Sequence, residues 1–173
     1  MGCEYDIQEY LEMLKTSLNY VQKYHDLVAK DLDDNYLKLN RKYQIILNYH
    51  IFSFSQIVYT ICEKLCDKYP PKKNKIYNFF KNSRSVVKYI FVEGQKWKHH
   101  NKKKKVNKGL NLHNHVQTNI TGVVETDAED NSIIKSFSVK CTFDGKRFSD
   151  GTIVLNTLEE SYDKIKDFIV KLS

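Results

Sequence analysis

Apolar side chains recur at helical spacing through the first third of the chain. Ile7, Leu11, Leu14, Leu18, Val21, Val28 and Leu32 follow one another at alternating steps of four and three, with His25 in the one slot left over. The pattern puts one side chain per turn on a single face and predicts a long helix over about residues 4–31, with the His25 ring packed on its seam. The polar cluster Asp31, Asp33, Asp34 and Asn35 is expected to end that helix and cap the next. A reversal this tight predicts a helical hairpin.

The second helix is expected from about Asn35 to Tyr69, halted by Pro70-Pro71, whose rings and missing amide protons forbid continuation. Its centre, Tyr43 to Cys62, holds no Asp, Glu, Lys or Arg, and Leu47, Ile51, Phe54, Val58, Ile61 and Leu65 again repeat at four and three. Gln44, Asn48, His50, Ser53, Ser55, Gln56 and Thr60 make this run too polar for lipid without partners, so it reads as a buried central helix and no membrane is expected as a partner. Tyr43, Tyr49, Ile46 and Ile57 add apolar surface off that stripe. A third helix, or a broken pair, is expected over 74–92 from Ile76, Phe79, Phe80, Val86, Val87, Ile90 and Phe91. From Glu93 to about Asn119 the periodicity is lost, which predicts a polar, Lys-rich flexible loop at 93–119.

Beyond residue 120 the period changes to two. Phe137, Val139, Cys141 and Phe143 alternate with Ser136, Ser138, Lys140 and Thr142, the pattern of a half-buried strand. Asp144-Gly145 reads as a hairpin turn, Lys146-Arg147-Phe148 as its return strand, and Asn119 to Glu125 as a further strand before the acidic turn at 127–131. Thr157 to Glu160 reads as a capping box opening a last helix, with Leu158, Tyr162, Ile165, Ile169 and Leu172 facing inward. The expected fold class is therefore α-dominated α+β, an antiparallel helical bundle with a C-terminal β-hairpin or small antiparallel sheet and a final helix. The expected organisation is one domain: bundle at 1–92, loop at 93–119, hairpin and helix at 120–173.

Charge sharpens the picture. The net charge is +7, but residues 68–108 hold fourteen Lys or Arg against Glu93 alone, while both flanks are acidic. Such segregation favours an anionic partner, or an acidic surface on another copy of the chain in a homodimer. Four cysteines, Cys3, Cys62, Cys66 and Cys141, are too scattered for a secreted disulfide framework. With no apolar leader among the acidic residues Glu4, Asp6, Glu9 and Glu12, a cytoplasmic location is expected. Cys62 and Cys66, one turn apart, are expected to pack in the core.

The segment with most chemistry is Trp97-Lys98-His99-His100-Asn101 followed by Lys102, Lys103, Lys104 and Lys105. Lysines attract phosphate, an indole offers a stacking surface for a base, and imidazoles donate to phosphate or exchange protons near neutral pH. Lys81, Arg84 and Lys88, spaced three and four apart, predict a basic stripe on one helix face, and Lys96 and Lys108 extend the same charge. The expected partner is nucleic acid, RNA or DNA; an acidic protein is the alternative. His99, His100, His113 and His115 match no metal-site spacing and stand among lysines, so neither metal nor other cofactor is expected. No phosphate-cradling glycine loop and no G-x-S-x-G nucleophile motif occurs.

Two long antiparallel helices followed by a shorter one carrying Phe80-Lys81-Asn82-Ser83-Arg84-Ser85-Val86-Val87-Lys88-Tyr89 resemble the HEPN domains, helical modules of toxin, defence and RNA-processing proteins. Ribonuclease members carry Arg, commonly a polar residue such as Asn next, and His after a further four to six residues. Arg84 matches the Arg, Ser85 stands at the Asn position, and Tyr89 occupies a position where His would serve. A tyrosine that titrates near pH ~10 is a poor proton shuttle at neutral pH, so a ribonuclease of this kind would need Arg84 together with His99 or His100 as catalytic residues. The resemblance implies a helical module of the toxin, defence or RNA-processing kind and covers about residues 1–100; for the alternative of an interaction or inhibitor protein docking on an acidic partner, a defence, anti-defence or toxin-neutralising role would fit.

Overall fold

The computed structural model describes residues 6–35, 40–82, 85–98, 113–126, 132–147 and 153–172. Helix α1 spans Ile7–Asn35, α2 Arg41–Lys68, α3 Lys73–Lys81 after a 3₁₀ turn at Pro70–Lys72, α4 Val86–Lys98 and α5 Val154–Leu172. Strands β1, His113–Thr126, and β2, Ser132–Arg147, pair antiparallel with each other.

Helix α2 is the axis of the body and packs on α1, α3 and α4. It starts at Asn40, whose side-chain oxygen accepts from the Lys42 N–H, and it ends where the Tyr69 N–H reaches the Leu65 carbonyl just before the two prolines. Leu47, Ile51, Phe54, Val58, Ile61 and Leu65 are all buried, one per turn, as the four-and-three spacing requires. Polar residues are tolerated in so apolar a helix because they bond to carbonyls nearby. Ser55 Oγ donates to the Ile51 carbonyl, Thr60 Oγ1 to the Gln56 carbonyl, and Ser17 Oγ of α1 to the His50 carbonyl at 2.9 Å. By length and composition α2 could cross a membrane, and its apolar stripe is turned towards its neighbouring helices.

Helix α1 begins with a reciprocal cap. Asp6 Oδ1 accepts from the N–H groups of Gln8 and Glu9, and Glu9 Oε2 accepts from the Asp6 N–H. The polar cluster expected to stop this helix lies instead within its last turns, for α1 runs to Asn35, and Asn40 caps α2. The third helical region is broken. Asn82 leaves helical geometry with ψ 118, and Ser85 restarts the chain by accepting the Val87 N–H on its hydroxyl at 3.3 Å. Helix α4 lies so close to α2 that Gly94 is required: a Cβ there would meet the Ser55 carbonyl oxygen and stand 2.9 Å from Tyr59 Cβ. Gln56 Nε2 bonds the Gly94 carbonyl at 2.9 Å and holds this contact. Because α4 continues to Lys98 and β1 opens at His113, the stretch between them is shorter than the expected loop at 93–119.

The expected fold class is corrected. The body is an α-dominated bundle of five helices rather than an α+β fold, and among the described residues no separate return strand follows Asp144-Gly145. Strand β2 runs through these residues to Arg147, and β1 and β2 pair only with each other apart from an isolated Arg147–Ile153 bridge. Asp144 and Gly145 together oppose the single residue His115 in a bulge, where the register passes from Val116 opposite Phe143 to Asn114 opposite Lys146. Gly145, at φ +96, presses on His25: a Cβ would lie 3.1 Å from His25 Nε2. The Asp-Gly pair that suggests a turn thus serves a bulge packed on α1. Among the side chains described, Phe143 is the strand residue that joins the hydrophobic core.

Helix α5 closes the other side, with Leu158, Ile165, Ile169 and Leu172 buried and Tyr162 half-buried. Phe168 stacks on Phe79 of α3 with centroids 4.0 Å apart and planes 3° from parallel. The expected capping box at Thr157 does not open α5, which starts at Val154; Thr157 is buried in its first turn and its hydroxyl donates to the Ile153 carbonyl.

Candidate functional site

Lysines follow one another along the chain where α2 gives way to α3. Lys68, Lys72, Lys73, Lys75 and Lys81 are all exposed, and no carboxylate separates them in sequence. The proline turn brings the ammonium groups of Lys68 and Lys72 over one ring, 5.8 and 5.2 Å from the centroid of Tyr69. Lys81 stands 4.6 Å above the Tyr77 ring. Each tyrosine thereby carries a cation on its face, a moderately favourable contact that leaves the ammonium group in water. Lys72 Nζ also donates to the Leu172 carbonyl at the end of α5, where the unpaired carbonyls of a helix terminus favour a cation.

The helical break overturns the expected stripe of Lys81, Arg84 and Lys88. Lys81 ends α3, whereas Lys88 is half-buried in α4, so three-and-four spacing no longer sets them on one face. Arg84 lies outside the described residues, as do His99, His100, Lys102, Lys103, Lys104, Lys105 and Lys108. Lys96, Trp97 and Lys98 form the last turn of α4. Ser85, at the Asn position of the HEPN pattern, is a helix cap here, and Tyr89 is exposed on α4.

Cys62 and Cys66 are buried with free thiols among α2 and α3. Burial raises both thiols, and the neighbouring sulfur raises Cys62 further. Tyr59 beside them is pushed up to about 12, by burial and then by its hydrogen bond to Glu63. These groups are protonated at neutral pH, so the thiols pack as small hydrophobes and do not offer a nucleophile. Among the described residues no three His, Cys, Asp or Glu side chains converge to hold a metal ion.

Two features escaped the sequence reading. Lys146 is buried at the foot of the β-ribbon; its ammonium donates to Asn114 Oδ1 at 2.8 Å, and the Asn114 amide donates to Gln44 Oε1 at 2.9 Å. Burial lowers its pKa. The second is an open groove of about 480 Å³ between α1 and α2, on the side away from the core. On its floor the His50 ring lies parallel to Tyr20 at 4.6 Å and edge-on to Tyr49 at 5.2 Å. Burial lowers the His50 pKa. Its signal was present in the sequence as a second helical stripe, Met13, Thr16 and Tyr20 on α1 with Tyr49 and Ser53 on α2, displaced from the core positions.

No family model, no curated protein and no solved structure matches the chain. The HEPN resemblance therefore rests on Arg84, Ser85 and the helical layout alone.

Proposed function

We propose that the chain is an intracellular, non-catalytic protein that associates with RNA or DNA through its lysine-rich middle. The observation that carries this reading is the run of exposed Lys68, Lys72, Lys73, Lys75 and Lys81 from the end of α2 to the end of α3, with Tyr69 and Tyr77 beneath three of the cations and no carboxylate between them in sequence. Polyanion binding by lysine is driven by counterion release, and adjacent aromatic rings suit unpaired bases. The basic residues beyond α3, from Arg84 to Lys108, extend the same charge along the sequence. A role of the defence or toxin type is the setting that the HEPN resemblance suggests for such binding.

The test is fluorescence anisotropy with a labelled single-stranded RNA and a labelled duplex DNA, titrated over a range of salt. Binding should weaken linearly in log K against log salt. The triple variant Lys73→Glu/Lys75→Glu/Lys81→Glu, which spares the Lys72 contact to α5, should lower the steepness of that line by about 2 for single strands. Salt-independent binding, or a variant that binds as the parent does, would remove the proposal.

A further inference from the structure

Strands β1 and β2 form a ribbon with two unlike faces. From Val116 to Val123 the pairing register is unbroken, so residues directly opposite one another share a face and neighbours along a strand alternate between faces. One face takes Val116 with Phe143, Ile120 with Val139 and Gly122 with Phe137. At the foot of the ribbon this apolar face meets the helical body. Phe143 belongs to the hydrophobic core, with its ring centroid 5.3 Å from that of His25 on α1, and the nearby Asn114 amide bonds Gln44 of α2.

The other face pairs Gln117 with Thr142, Asn119 with Lys140 and Thr121 with Ser138. Each of these residues carries an amide, a hydroxyl or an ammonium group. The paired stretches 113–124 and 132–143 hold no Asp or Glu, although the chain has 21 of them, so nothing on this face repels a polyanion. Amides of Asn and Gln match the major-groove edge of adenine, an ammonium group matches the acceptors of guanine, and hydroxyls match either. The dimensions agree as well. A two-stranded ribbon enters a major groove about 12 Å wide, and same-face residues repeat every ~6.8 Å, close to two base-pair steps. Cations flank the foot: Arg41 and Lys42 are exposed in the first turn of α2 just before Gln44, and Lys102 to Lys105 and Lys108 precede β1 in the sequence.

We infer that the β1–β2 ribbon reads duplex DNA in the major groove, through the carboxylate-free face on which Gln117, Asn119 and Thr121 stand opposite Thr142, Lys140 and Ser138, while Phe143 on the opposite face seats the ribbon on the bundle. The inference rests on the nucleic-acid association proposed above and adds to it a duplex, a groove and a sequence preference. The lysines from Lys68 to Lys81 supply none of these, because ammonium groups that meet phosphate carry no sequence information. Duplex RNA is not an equivalent target, since its major groove is too deep and narrow for a ribbon to reach the bases.

Selection by the full chain from a random duplex DNA pool tests it, followed by fluorescence anisotropy on the enriched duplex and a scrambled one at fixed salt. The parent protein should prefer the enriched duplex by about a hundredfold or more. Replacing the purines of that duplex by 7-deazapurines, which removes the N7 acceptor from the major groove and leaves base pairing intact, should weaken binding about tenfold. Gln117→Ala and Asn119→Ala should each lower the preference about tenfold, with binding to the scrambled duplex, its salt dependence and the far-UV circular dichroism as in the parent. The 7-deazapurine measurement uses the parent protein and so stands even where an alanine change perturbs the ribbon. Binding without sequence preference, binding confined to single-stranded RNA, or a preference that survives both alanine changes or the 7-deazapurines would overturn the inference and leave nucleic-acid association standing. A chain that binds no nucleic acid at any salt would remove both.

Discussion

Gly94 shows how much one hydrogen atom in place of a methyl group can decide. The α2–α4 contact exists because nothing projects from this position, and the obstacle to a side chain is the Ser55 backbone, which cannot step aside as a flexible side chain would. Gly94→Ala should therefore destabilise the fold by about 3 kcal/mol, read as a lower urea midpoint with an unchanged slope, despite the gain in helix propensity that Ala usually brings. His50 acts through its charge. Burial holds its pKa below the ordinary 6.5, so between those two values the unfolded chain binds a proton that the folded chain does not. Stability is then full above pH ~6.5, falls as the pH drops through that value, and levels off below the folded pKa. His50→Phe, which keeps a ring against Tyr20, should flatten that part of the stability profile when urea unfolding of the two proteins is compared between pH ~5 and ~7.

Among the elements, helix ends are where local chemistry and sequence pattern part. Asn40 caps α2 through a 3.0 Å bond to the Lys42 N–H, and Asn40→Ala should cost about 1 kcal/mol by denaturant titration. A Ser-to-Ala change at Ser85 removes the analogous cap of α4. The capping-box pattern at Thr157 to Glu160 misleads because a helix can begin earlier whenever the preceding residues are compatible. Val154 and Leu155 already pack on the bundle, so α5 starts there and the threonine hydroxyl turns back to the Ile153 carbonyl. Asp144-Gly145 misleads for a related reason. The pair supplies the positive φ that a turn needs, and a bulge needs it as well; which one forms depends on what the strand meets, here His25 on α1.

At the scale of the whole molecule, charge and apolar surface are divided between two places. Exposed Lys68, Lys72, Lys73 and Lys75 flank the α2–α3 turn, and exposed Met13, Tyr20 and Tyr49 line the α1–α2 groove. The Lys73, Lys75 and Lys81 reversals should change the salt dependence of nucleic-acid binding and leave helicity by circular dichroism unchanged. Interior chemistry contributes to neither, because the Cys62 and Cys66 thiols are held protonated in the core.

Periodicity alone determined the buried stripes of α1, α2 and α5, since the spacing of apolar residues dictates which face a helix hides, whatever covers it. Composition alone located the concentration of lysines and the absence of carboxylates between Lys68 and Lys81. Only the tertiary structure decided where helices break, for Lys81 and Lys88 part company through the geometry at Asn82 and Ser85, which a one-dimensional spacing cannot register. Only it decided that Met13, Tyr20 and Tyr49 line one uncovered groove. Those side chains are ordinary apolar residues in sequence, and whether such a residue is core or surface depends on which neighbour, if any, is packed against it.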